Sequence, residues 1–170
     1  MLALAREEPS AFVVGVDANA AGMRDASRRA ARPAAKGGQP NALFVVAAVE
    51  ALPPELEGFA DEVRISFPWG SLLRGVLGLD DEVLRGIRHV AAPGAAVTVL
   101  VSVTGRDRGA GVTQMPETRE VERAWRDHGF RMIEARAATQ AELEASHSTW
   151  AKRLRAGADR PVMRFRFERA

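Results

Sequence analysis

Short apolar runs alternate with amphipathic stretches along most of this chain. Residues 11–16 form an apolar run that predicts a strand, and a helix-like stretch follows over about 20–35. Pro33, Pro40 and the pair Gly37-Gly38 break the chain before a second strand over 43–49. Pro53-Pro54 interrupts again, and 62–67 reads as a third strand. Helical periodicity covers 70–79 and 81–90, with Asp80 placed to cap the second helix. The turn Pro93-Gly94 leads into 96–104, a run apolar and β-branched enough to be covered on both faces. A glycine-containing loop over 105–116 precedes a helix over 117–128 that stops at Gly129, then a strand over 130–137. Thr139 and Glu142 have the spacing of a capping box that opens a helix to about Arg155, and 162–168 alternates as a closing strand. Strands alternating with helices predict an α/β fold, a single domain over 1–170 with a mostly parallel sheet and helices on both faces.

Composition narrows the class. At 170 residues and 46% hydrophobic content the chain can bury a substantial core, and no apolar run approaches the roughly 20 residues of a membrane span. Acids at Glu7 and Glu8 come too early for a secretory leader, so a cytoplasmic protein is expected. The absence of cysteine excludes disulfides, thiolate metal sites and a cysteine nucleophile. His89, His128 and His147 are scattered without metal-ligand spacing, so no metal is expected.

A net charge of +2 hides an uneven distribution. Arg24, Arg28, Arg29, Arg32 and Lys36 stand against Asp25 alone, and residues 152–169 carry seven basic side chains against Asp159 and Glu168. Residues 50–62 are acidic. Basic segments on a balanced chain suggest a polyanionic partner, although a solvated arginine-rich face explains the same pattern.

The candidate chemistry centres on Ser66-Phe67-Pro68-Trp69-Gly70. Trp69 lies between a strand and a helix, at the carboxyl end of the strand, where open α/β sheets bind ligands. Proline and glycine fix the backbone on either side, so the ring is presented as a plate suited to a planar ligand; the alternative is a core residue capping the sheet. Asp17 ends the first strand, where a carboxylate accepts both hydroxyls of a bound ribose, or where it or Asn19 caps the next helix. Glu50 follows the second strand and faces either a nucleobase or only solvent. Trp150, at helical spacing from His147 and Leu154, is either a second plate or ordinary packing, and Trp125 reads as core.

Four blocks carry a resemblance: Gly15-Val16-Asp17-Ala18-Asn19, Lys36-Gly37-Gly38-Gln39-Pro40-Asn41, the run from Phe67 through Gly78, and Ser148-Thr149-Trp150-Ala151-Lys152-Arg153-Leu154. In this order they resemble the aminoglycoside-resistance 16S rRNA adenine-N1 methyltransferases, the KamB/NpmA-like family. The resemblance implies a Rossmann-like, S-adenosylmethionine-dependent enzyme that methylates N1 of a decoding-site adenine in the small ribosomal subunit. By the same resemblance Asp17 and Glu50, with Ser71 and Ser148, would hold the cosubstrate. Trp69 and Trp150 would sandwich the flipped adenine, and the Pro68 carbonyl would accept from its N6 amino group. Lys36, Arg74, Lys152 and Arg153 would face rRNA or support the pocket, in a chain acting as a monomer. The family opens with a strand and a glycine-rich loop that contacts the methionine part of the cosubstrate. This chain resembles it from the helix just after that loop, so the first strand and loop are expected to be missing and the true start to lie upstream. Two other readings share these residues: a non-catalytic RNA-binding remnant, and a methyltransferase acting on small molecules.

Overall fold

The computed structural model describes residues 1–148 and 161–170, which gather into two compact units, Met1–Leu52 and Pro53–Ala170.

In the first unit, α1 (Leu2–Glu7) precedes β1 (Val13–Asp17), α2 (Ala20–Ala30) and β2 (Ala42–Val46). β1 and β2 pair in parallel, with Asp17 opposite Val46, so both strands finish at the same edge. A Cβ on Gly15 would overlap the Met1 sulfur, so glycine at mid-strand lets the N-terminus lie against β1. The Asn41 amide ties α1 to this pair, donating to the Ala5, Glu8 and Ala11 carbonyls at 2.8, 3.2 and 2.9 Å. Helix α2 stops at Ala30 rather than continuing to 35, because Pro33 lacks the N–H that the next turn needs. A single 3-10 turn, Ala34–Lys36, takes its place.

The second unit holds β3 (Ala60–Ser66), α3 (Gly70–Val76), α4 (Asp81–Val90), β4 (Ala91–Val101), α5 (Thr118–Asp127), β5 (Phe130–Ala137), α6 (Gln140–Ala145) and β6 (Met163–Arg169). The sheet order is β3-β4-β6-β5. β3 and β4 are parallel, but β6 runs antiparallel to both of its neighbours. The sheet is therefore mixed, and the expected parallel character is confined to β1-β2 and β3-β4. The alternation that marks β6 as a strand carries no information about which neighbours it enters between, or in which direction. β4 starts at Ala91, earlier than its apolar run, because an irregularity opposite Ala60–Glu62 accommodates Pro93-Gly94 within the strand.

Val97, Val99 and Val101 present one face of β4 to the main core with Leu73, Val76, Leu84 and Ile87. Trp125 is fully buried there, as its amphipathic helix predicts. It stacks on Phe167 at 3.8 Å between ring centres, meets Phe130 edge-on, and donates its indole N–H to the Val76 carbonyl at 3.0 Å. On a separate cluster, Leu100, Leu143 and Val162 are buried together, with Phe67 and Ala138 packed against them. The Thr139–Glu142 capping box forms as expected, but α6 ends at Ala145 rather than near Arg155. His147 takes a left-handed backbone (φ 49°), a conformation that cannot continue an α-helix.

Candidate active site

In the second unit the site is built on the exit from β3. The Phe67 N–H bonds the Leu100 carbonyl at 2.8 Å, extending the parallel ladder one residue beyond Ser66. Phe67 then adopts φ 54°, which for a non-glycine residue followed by proline costs about 1–2 kcal/mol. Packing of its ring against the Leu100–Leu143–Val162 cluster holds it there. Pro68 is buried, Trp69 is extended, and Gly70 returns to positive φ (61°) before α3 begins. Two left-handed residues bracketing Pro68-Trp69 reverse the chain and turn the indole outward. Trp69 is 75% exposed, the most exposed of the large apolar side chains among the described residues. That outcome rules against the sheet-capping alternative, and the conformational strain is stored where the ring is displayed.

Ser71 is exposed in the first turn of α3. Arg74 points its guanidinium at protein: it donates to the Leu79 and Ala110 carbonyls at 3.1 and 3.4 Å and lies 3.8 Å from the Asp80 carboxylate. It thereby ties the loop after β4 to the end of α3. The same loop begins with Ser102, at the carboxyl end of β4, whose hydroxyl is buried and has no hydrogen-bond partner among the described residues. Sequence reading passed over Ser102; the signal available was a polar residue ending the apolar run of β4. Phe67 was equally legible in principle, as a residue forced between the end of a ladder and a proline.

Ser148 is partly buried, and its N–H approaches the Ser146 hydroxyl at 3.3 Å. The helix before it is pinned electrostatically. Arg136 donates to Glu142 at 2.6 and 2.9 Å and to Glu134 at 2.9 Å, while Arg164 contacts both glutamates. The Arg136 guanidinium, with the Thr139 backbone N–H, holds the Glu142 carboxyl down to about 2. Trp150, Lys152 and Arg153 lie outside the described residues.

In the first unit, Asp17 ends β1 and Glu50 follows the end of β2, its parallel partner. Asn19, and not Asp17, caps α2, accepting from the Gly22 N–H at 3.2 Å. One Asp17 oxygen receives the Asn19 N–H at 2.8 Å, and its exposed carboxylate has no other partner among the described residues. Glu50 is exposed in a 3-10 turn, Val49–Ala51, just beyond β2. Between them, Ala47 donates to the Asp17 carbonyl at 3.2 Å. A carboxylate with a spare oxygen at the end of a parallel strand, beside a second strand end, suits the ribose of a nucleoside cosubstrate. Lys36 is exposed on its 3-10 turn. Among the described residues no helix is long and apolar enough to cross a membrane, and no three His, Asp or Glu side chains gather as a metal site.

Comparison with known proteins bears on these residues as a set. The family model for NpmA, 16S rRNA (adenine(1408)-N(1))-methyltransferase, matches residues 1–168. A 16S rRNA (adenine(1408)-N(1))-methyltransferase of Streptoalloteichus tenebrarius is 37% identical over 164 residues, covering 92% of this chain and 75% of the relative. The crystal structure of the aminoglycoside resistance methyltransferase NpmB1 superposes with a TM-score of 0.83 at 40% identity, covering 99% of this chain and 81% of that one. A tryptophan-to-alanine variant of the 16S rRNA (adenine(1408)-N(1))-methyltransferase of Catenulisporales acidiphilia, crystallised with cosubstrate SAM, gives a TM-score of 0.88 at 32% identity over 99% of this chain and 80% of that one.

Proposed function

The chain belongs to the 16S rRNA (adenine(1408)-N(1))-methyltransferase family, and from that membership we propose that it methylates N1 of the decoding-site adenine of 16S rRNA and so protects ribosomes from aminoglycosides. S-adenosylmethionine, when bound, supplies the methyl group from its sulfonium. The enzyme acts as a monomer in the cytoplasm, on the assembled small ribosomal subunit.

The observation that carries this reading is the exposed Trp69, held between two left-handed residues at the end of a parallel strand. An adenine N1 inside a helix is occupied by pairing or stacking, so the base must leave the stack at a cost of a few kcal/mol. Stacking on one aromatic plate returns about 1–3 kcal/mol. Trp69 provides one plate, and Trp150 is assigned as the second. The Pro68 carbonyl accepts from the exocyclic N6 amino group, selecting adenine over a base with a carbonyl at that position. The adenine N1 already carries its lone pair at neutral pH, so no general base is needed and positioning does most of the work. In the first unit Asp17, with its free carboxylate oxygen, takes the cosubstrate ribose, and Glu50 is assigned to its adenine; in the second unit Ser71 and Ser148 are assigned to cosubstrate binding. Lys36, Lys152 and Arg153 face rRNA; Arg74 supports the pocket from behind by holding the loop after β4.

The test is primer extension on small subunits incubated with the protein and S-adenosylmethionine. A new stop at the decoding-site adenine is expected. Transfer only to free nucleosides or other small molecules, with the rRNA unmarked, would rule the assignment out.

A further inference from the structure

Hydroxyl groups in the second unit do not all have the same company. Thr104 gives its hydroxyl to the Asp107 carboxylate at 2.9 Å, Ser146 to the Leu143 carbonyl at 2.6 Å and Thr139 to the Glu142 carboxylate at 3.1 Å. Ser102 differs: its Oγ is shielded from water and has no hydrogen-bond partner among the described residues. An unpaired hydroxyl taken out of water costs free energy that alanine at the same place would avoid. The strand itself has no need of one, since Val97, Val99, Leu100 and Val101 leading up to it are apolar and buried.

The fold fixes where that hydroxyl stands. β4 pairs with β3 as far as Leu100 opposite Ser66, and the Phe67 N–H reaches back to the Leu100 carbonyl. Counting on two residues brings Pro68 and Ser102 to the same edge of the sheet. By alternation Ser102 shares the face of Leu100, against which Phe67 packs, and not that of Val99 and Val101. Pairing of Val101 with Met163 holds the strand on its other side. Just beyond, the Asp107 carboxylate receives the Thr104 N–H at 2.7 Å as well as its hydroxyl, which pins the start of the loop. The Ser102 backbone is thus held from both directions while its side chain is uncommitted. The residue as a whole is half-buried, and a single rotation about Cα–Cβ re-aims Oγ.

We propose that Ser102 is a specificity residue for the methylation reaction: its hydroxyl donates to N7 of the target adenine while the Pro68 carbonyl accepts from N6. It rests on the adenine reading above. Adenine presents an amino donor at N6 beside an acceptor at N7, whereas guanine presents acceptors at both places. A carbonyl and a hydroxyl donor at neighbouring strand ends match the first pattern, and guanine would set its own carbonyl against that of Pro68. The N1 that takes the methyl group lies on the other side of N6, so this contact leaves its lone pair free. Ser102 acquires its missing partner only when the base is in place.

The experiment uses two sets of small subunits, one ordinary and one reconstituted with 16S rRNA carrying 7-deazaadenosine at the decoding-site position, which replaces N7 by C–H. kcat/KM for methylation is measured on both sets with the natural protein, Ser102→Ala and Ser102→Thr. The base change alters the reactivity of N1 by itself, and Ser102→Ala supplies that intrinsic effect, so the quantity read is the ratio of ordinary to 7-deaza rates. This ratio is expected to be roughly 3- to 10-fold larger for the natural protein than for Ser102→Ala, equivalent to one neutral hydrogen bond, and to be kept by Ser102→Thr, which retains the hydroxyl. Ser102→Ala is expected to unfold at the same urea concentration as the natural protein or a higher one, and to bind S-adenosylmethionine equally well by calorimetry. Equal ratios for the natural protein and Ser102→Ala, or a Ser102→Thr ratio no higher than that of alanine, would overturn the proposal while leaving the methylation reading intact. Weakened cosubstrate binding or lost stability in Ser102→Ala would also overturn it, because either gives the hydroxyl a different partner. A natural protein that leaves the adenine of ordinary subunits unmarked would instead remove the reading on which the proposal stands.

Discussion

Two tryptophans in the second unit have opposite fates. Trp125 has no exposed surface, stacks on Phe167 and gives its indole proton to the Val76 carbonyl, whereas Trp69 keeps 75% of its surface in contact with solvent. The side chains are identical, so the difference comes from their backbones. Trp125 occupies the inward stripe of α5 one turn after Val121, and a helix places such residues against the sheet. Trp69 stands between a proline and a glycine, after a residue held in the left-handed region. Exposing a ring of that size forgoes a burial gain on the order of 2–3 kcal/mol, and the strain at Phe67 adds to it. A chain that accepts both costs at one turn has been shaped there by something other than stability.

The sharpest way to break this comparison is to delete each ring in turn. Trp125→Ala removes a fully buried indole and leaves the Val76 carbonyl without its donor, so unfolding in urea should show a loss of about 3–5 kcal/mol, a large part of a domain's whole stability. A loss below about 1 kcal/mol would mean that the aromatic stack does not organise the core. Trp69→Ala should leave the urea midpoint unchanged and lower kcat/KM for small subunits by roughly 5- to 150-fold, the kinetic equivalent of about 1–3 kcal/mol of lost stacking. Trp69→Phe should recover much of that activity, since it restores a plate. A Trp69→Ala protein with full activity would return Trp69 to the status of a surface residue. Gly70→Ala is a milder perturbation of the same turn. A Cβ there meets no atom within contact distance, so the penalty is conformational only. Stability should fall by about 1 kcal/mol, with a further decline in methylation as the indole is re-aimed.

The same contrast explains what could be read from the chain. Trp125 was legible as core because its helix repeats with a clear period, and Trp69 was legible as a presented plate because proline and glycine flank it. Asp17 and Asn19 were both candidates for capping α2, and only coordinates could divide the roles between them. The order of the elements was also legible, since it follows from local patterning. The placement of β6 was not: an alternating strand looks the same whether its neighbours run parallel or antiparallel to it. The early end of α6 escaped for a related reason, because nothing in Ser146-His147 announces a left-handed residue as a glycine would. The pairing of Arg164 with Glu134 and Glu142 depends on strands adjacent only in the folded sheet.

That ion-pair group yields the smallest predicted effect, and one that separates the two tryptophans by pH. Leu143 on α6 helps to form the cluster against which Phe67 packs, and α6 is anchored by Glu142. Trp125 itself stands on α5, away from this group, and meets it only through β6, which carries both Phe167 and Arg164. Because the Glu142 carboxyl is held at about 2, below its value in an unfolded chain, its contribution to stability is fully present above roughly pH 5 and is lost as pH falls through 2. Glu142→Gln is the appropriate control, since glutamine preserves the capping-box geometry while removing the charge. The stability difference between the natural protein and Glu142→Gln should be constant from pH 7 to about pH 5, and should shrink steadily below that. Over the same range, Phe67 and its neighbours should lose protection from hydrogen exchange before the backbone around Trp125 does. A difference that stays constant down to pH 2 would show that the Arg136–Glu142 pair does not anchor the turn, and that Phe67 holds its strained conformation by apolar packing alone.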